Sequence, residues 1–147
     1  MVKEGVLLLI GDEQFGDKLQ RWLRAFGVER ADLITDSEDL NFRKLGRTYD
    51  TVFVEKCFCG NARSTAMLVK RIRGSYRKPM ACFELCNDHE GMFPLQVAGC
   101  NFAIDRYTPK QSLVLRDLEE NICRNVGELV AKIAGELQRP HQKAVAA

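Results

Sequence analysis

Histidine is scarce in this chain. His89 and His141 are the only two, and neither lies in a setting suited to acid–base catalysis. No glycine-rich phosphate loop, Ser-His-Asp set or nucleophile elbow is present either, so the sequence reads as a non-enzyme. Long hydrophobic runs are also missing. The longest near the start, Val6-Leu7-Leu8-Leu9-Ile10, has five residues, whereas a membrane-spanning helix needs about 20. No basic signal-peptide segment precedes it. Strong charge of one sign is likewise absent: 22 Lys plus Arg against 20 Asp plus Glu leave a net charge of +2. That is too mild to call for nucleic acid or an anionic membrane. The expectation is a cytoplasmic protein with no membrane association and no direct nucleic-acid binding. In that reducing setting the six cysteines are expected as thiols, metal ligands or redox sites rather than as structural disulfides.

What is present is enough for one core: 147 residues, 46% of them hydrophobic, imply a single domain with a short extension. The unbroken apolar run from Val6 to Ile10 suits a strand covered on both faces. Phe15, Leu19, Trp22, Leu23 and Phe26 then recur on one helical face, and Gly27 stands where a C-terminal cap belongs. Ala31 to Thr35 predicts a second strand, and Asp39, Leu40, Phe42 and Leu45 predict a brief helix closed by Gly46. Thr51 to Val54 is β-branched and aromatic and predicts a third strand. It ends at Glu55, with a loop from Lys56 to Gly60. Thr65, Leu68, Val69 and Ile72 mark the next helix, which ends near Gly74. Strands over Met80–Leu85 and Phe102–Ile104 follow, separated by a weak helix reaching Gly99. Strands alternating with helices imply a mostly parallel sheet with helices on both faces. The functional crevice of such a sheet lies at the carboxyl ends of its strands. Those tips are Gly11-Asp12-Glu13, Glu55 to Gly60, Glu84 to His89, and Asp105-Arg106.

The order of these segments resembles the receiver domains of bacterial response regulators over residues 5–122. Leu7 to Glu13 is similar to the family's first strand and its acidic pair. Tyr49-Asp50-Thr51-Val52-Phe53-Val54-Glu55 resembles the third strand, which ends in the phosphoacceptor aspartate. Pro79 to Leu85 resembles the fourth, which ends in a switch Ser or Thr, and Ala98 to Arg106 resembles the fifth, which runs into a lysine. The resemblance implies an α/β, flavodoxin-like (βα)5 domain with a five-stranded parallel sheet, helices on both faces and an extended C-terminal helix. Its implied boundaries are 1–124 for the receiver-like domain, 125–138 for the helix extension and 139–147 for a tail.

Measured against that pattern, the phosphorylation site is degenerate. Gly11 replaces the first acid and leaves Asp12. Glu55 stands at the phosphoacceptor position, Glu84 replaces the switch hydroxyl, and Arg106 replaces the lysine, with Tyr107 after it. Ala103 occupies the aromatic switch position unless the register slips to Phe102. A receiver needs a divalent ion held by carboxylates to neutralise the phosphoryl group in transfer, and magnesium demands a compact octahedral oxygen shell. Losing one carboxylate and lengthening another weakens or abolishes magnesium binding. Asp12, Glu55 and Glu84 are expected to form a carboxylate cluster with Arg106 as counter-charge, since Arg stays charged when buried.

The resulting expectation is a phosphorylation-independent receiver-like module that binds protein partners in bacterial two-component-type signalling or transcriptional regulation. Two alternatives stay open. One is an unconventional working phosphoreceiver using Glu55. The other is a metal or redox sensor in which Cys57, Cys59, Cys86 and His89 hold zinc or an iron–sulfur cluster or undergo thiol chemistry. Cys82, Cys100 and Cys123 read as core residues. Arg63, Lys70, Arg71, Arg73, Arg77 and Lys78 read as a solvated basic helix face. The apolar stripe Leu118, Ile122, Val126, Leu129, Ile133 and Leu137 suggests a homodimer face.

Overall fold

The structure, a computed structural model, describes residues 2–25, 27–85 and 91–104, with backbone alone for residues 2–4. Five strands carry the fold: β1 (Val2–Leu9), β2 (Val28–Ile34), β3 (Tyr49–Glu55), β4 (Met80–Phe83) and β5 (Phe102–Ile104). They form one sheet in the order β2-β1-β3-β4-β5, and every adjacent pair is parallel. Four helices connect them among the described residues: α1 (Glu13–Ala25), α2 (Leu45–Thr48), α3 (Ala62–Arg73) and α4 (Phe93–Ala98). The strand order reverses between β1 and β3, so the crevice expected of a doubly wound sheet opens there, at the strands' carboxyl ends.

The uninterrupted apolar strands follow from burial on both faces. Side chains alternate along a strand. Val6 and Leu8 therefore face one layer with Ile10, where they pack with Phe15, Leu19 and Leu23 of α1 and with Phe53 and Phe83. Leu7 and Leu9 face the other, with Val52, Val54, Met80 and Cys82, under Ala62, Val69 and Ile72 of α3 and Leu95 of α4. Cys100 is buried in this second layer.

The expected helix closed at Gly46 is replaced by a 3-10 turn over Ser37–Asp39, capped by the Asp36 side chain on the Glu38 amide, followed by the short α2, which contains Gly46. Short polar side chains compete for local backbone donors and break an incipient helix into turns. Trp22 also departs from expectation. It is 36% exposed, because the buried stripe of α1 runs through Phe15, Leu19 and Leu23 and leaves position 22 at its margin.

The basic face is not uniformly solvated. Arg73, at the end of α3, donates to the carbonyls of Gly99, Tyr76 and Lys78 at 2.9, 3.0 and 2.6 Å and to Asn101 Oδ1. Asn101 Oδ1 also accepts from the Met80 amide at 3.0 Å. One guanidinium thus fastens α3 to the entrances of β4 and β5. Gly99 has φ +142°, and a Cβ there would collide with the Arg73 side chain; both reasons require glycine. Arg71 lies over the Phe42 ring at 4.4 Å, and Lys78 pairs with Asp50 at 3.0 Å. Among the described residues no helix is long and apolar enough to cross a membrane.

Candidate functional site

The site forms where β1, β3 and β4 end. Leu9 pairs with Val54 and Glu55 with Phe83, so Ile10, Glu55 and Phe83 are level and the residues beyond them share one edge. Three sequence-predicted residues reach this edge, but not as the expected cluster. Among the described residues no three or more His, Cys, Asp or Glu side chains gather to hold a metal ion. Asp12 is drawn into capping α1. Its Oδ1 accepts from the Phe15 amide at 3.1 Å and its carbonyl from the Gly16 amide at 2.9 Å, which supplies partners for orphan donors of a helix start.

Glu55 is buried at the end of β3. Its Oε2 accepts from the Cys57 amide at 2.6 Å, on its own exit loop, and its Oε1 accepts from the Leu85 amide at 3.1 Å, past the end of β4. The extra methylene, compared with aspartate, lets one carboxylate span both strand exits. Hydrogen bonds to a charged acceptor are the strong kind, and here they tie the exit of β3 to that of β4.

Lys56, the first residue of the loop expected after β3, has a side chain that is 0% exposed. Its Nζ lies 2.9 Å from Glu84 Oε2, and the Glu84 side chain retains 18% exposure. The Lys56 amide also donates to the Phe83 carbonyl at 2.7 Å. Lys56 is thus a counter-charge of Glu84; Arg106, the expected counter-charge of the cluster, lies outside the described residues. Parallel pairing of β3 with β4 explains it. A residue one past Glu55 faces a residue one past Phe83, and an ammonium buried there is retained because a carboxylate meets it.

The sulfur ligands fare differently from one another. Cys57 takes part in a disulfide, so it stands neither as the free thiol nor as the metal ligand that the sequence offered as two of its three roles, and only the redox role stays open to it; a disulfide sulfur is no thiolate donor. Cys59 is a free, half-buried thiol, pushed up from its usual pKa by burial, so it yields less of the thiolate that a metal or an oxidant requires. Cys82 and Cys100 are free and buried; the hydrogen bond between them, with burial second, raises the Cys100 pKa. Cys86, His89 and Cys123 lie outside the described residues. So does the Leu118, Ile122, Val126, Leu129, Ile133, Leu137 stripe. Ala103, at the aromatic switch position, is exposed, whereas Phe102 packs on the α1 side of the core.

The magnesium ion of working receivers does not fit these residues. Gly11 offers no carboxylate, Asp12 is engaged as a helix cap, and both Glu55 oxygens face amide protons. An oxygen shell for magnesium would have one carboxylate fewer to draw on and would share its remaining oxygens with those amide donors.

Solved structures with the same architecture decide the fold. A two-component response regulator from Clostridium difficile superposes with a TM-score of 0.63 at 21% identity, covering 93% of this chain and 98% of its own. The chain has the receiver fold. A response regulator receiver domain from Rhodospirillum rubrum gives 0.63 at 17% identity, covering 86% and 93%. An orphan response regulator of H. pylori gives 0.53 at 21% identity, covering 82% and 94%. No family model matches the sequence, and no curated protein does. The receiver likeness is thus carried by the strand order and the position of the strand tips.

Proposed function

We propose that this chain is a phosphorylation-independent receiver-like module that acts through protein partners in bacterial two-component-type signalling or transcriptional regulation. The observation that carries the reading is the Glu55 carboxylate held by amides from both β3 and β4 exits. In a receiver a phosphoryl group brings negative charge and acceptor oxygens to this edge for a limited time. Glu55 supplies a permanent charge and two acceptors, and the Lys56–Glu84 pair adds a second link across the same two strands. The module then holds one surface state, and its output depends on which partner is present.

Magnesium offers a direct check, since phosphoryl transfer in receivers depends on it. Isothermal titration of the chain with magnesium chloride into the millimolar range is expected to give no saturable heat. Saturable binding that disappears in Asp12→Asn contradicts the proposal and restores a working ion site.

A further inference from the structure

We infer that the groove between α3 and α4 is a docking site for an acidic amphipathic helix of a partner protein. The inference rests on the reading of the chain as a protein-interaction module and names the surface and the chemistry of its partner. The groove holds about 550 Å³ and is lined mainly by Arg63, Ala66, Met67 and Lys70 of α3 and by Pro94 and Val97 of α4. The α3 residues sit at offsets 0, 3, 4 and 7, which is one continuous helical face. That face is separate from the one α3 turns to the core, which runs through Ala62, Thr65, Val69 and Ile72.

Apolar side chains on this surface are unusually open. Met67 and Val97 are each 70% exposed, and Phe93, one turn before Val97, is 72% exposed. Grouped apolar exposure of this kind marks interaction sites more often than scattered single residues do. The two cations at the rim, Arg63 and Lys70, form no ion pair among the described residues, unlike Lys78 and Lys56. They stand seven residues apart, so their charges are spaced by about 10 Å along α3. A partner helix with Asp or Glu at positions i and i+7, and Leu, Met or Phe at i+3 and i+4 between them, matches both the strip and its charged rim.

Charge and shape favour this occupant over two others. A second copy seated on the same groove would be related by a two-fold axis, which sets like patch against like patch. Arg63 and Lys70 would then approach their own counterparts, a repulsive arrangement. A bilayer presents no ridge to fill a concavity between two helices, and a net charge of +2 adds little electrostatic attraction beyond the rim.

Panning a phage-displayed library of helix-biased peptides against the full chain reads the chemistry of the occupant directly. Enriched peptides are expected to carry paired acidic residues flanking an apolar face, and to weaken as salt is raised. Fluorescence anisotropy of one such peptide should show at least about a tenfold loss of affinity in Met67→Glu and in Lys70→Glu. Both positions are exposed, so an unchanged Tm certifies the fold of each variant. A version of the peptide with lysine only in place of the acid that faces position 70 should recover binding to Lys70→Glu but not to Met67→Glu. Enrichment of peptides with no acidic preference, or binding indifferent to both substitutions, overturns the inference. So does concentration-dependent self-association abolished by Met67→Glu, which assigns the groove to a second copy. Retention of the chain on phosphatidylglycerol–phosphatidylcholine vesicles that is lost in Lys70→Glu overturns it in favour of a membrane. None of these outcomes depends on magnesium binding, so a failed docking site and a failed phosphorylation-independent reading are told apart.

Discussion

Lys56→Ala is expected to lower the stability of the domain by about 4 kcal/mol, on the order of 10 °C in Tm. Two losses combine. The side chain is fully buried, so truncation leaves a cavity in place of its aliphatic stem. Its ammonium also leaves Glu84, whose carboxylate is 2.9 Å away and mostly withdrawn from water. Lys56→Met separates the terms by keeping the volume and removing the charge, and about half of the loss should return. A Lys56→Met, Glu84→Leu double variant should recover most of it, because an ion pair replaced whole by apolar groups of similar size is often neutral. Thermal melts of wild type, the two Lys56 variants, Glu84→Leu and the double variant make the comparison. Additive losses in the double variant would mean that the two residues do not act as a pair.

Glu55→Gln is expected to cost about 2 kcal/mol and to open the site's edge locally. A carboxamide keeps one acceptor oxygen, so only one of the two amides, Cys57 or Leu85, retains a partner. The other is left facing an NH2 group, and a buried donor without an acceptor costs about 1–3 kcal/mol. Hydrogen exchange reports this residue by residue: in Glu55→Gln one of the two amides, Cys57 or Leu85, should exchange at least about tenfold faster. Glu55→Asp tests reach instead of charge. One methylene shorter, it should hold the Cys57 amide and release that of Leu85. Unchanged protection at both amides in Glu55→Gln and at Leu85 in Glu55→Asp would show that the bridge across the strand exits carries no weight.

Periodicity and apolar runs revealed the sheet because β1 and β3 are buried on both faces. Continuous hydrophobicity from Val6 to Ile10 and from Val52 to Val54 is a local signal with one physical cause. The core faces of α1 and α3 were legible for the same reason, as were the stops at Gly27 and Gly74. The site was legible only in part. Glu55 and Glu84 were found because each ends a strand, but their partners were not. Lys56 sits in a run with Cys57 and Gly60 that reads as loop, and a lone lysine is ordinarily solvated. Its burial depends on Glu84, 28 positions away, and nothing local announces a contact created by β3–β4 register. The capping role of Asp12 was not legible, because a strand-end acid and a helix cap look alike in sequence. The geometry of the Phe15 amide separates them. The helix expected to close at Gly46 failed because Asp36, Ser37 and Asn41 offer turns that local hydrogen bonding favours.

Phosphoryl transfer itself tests the central claim most directly. Intact mass is measured for wild type, Glu55→Gln and Glu55→Asp after incubation with acetyl phosphate and magnesium. The account predicts that wild type gains no phosphoryl mass, because both Glu55 oxygens accept from amides and Gly11 leaves the strand tips one carboxylate short. A labile phosphoryl adduct on wild type that vanishes in Glu55→Gln would contradict it, and would make the chain a working receiver with glutamate as its acceptor.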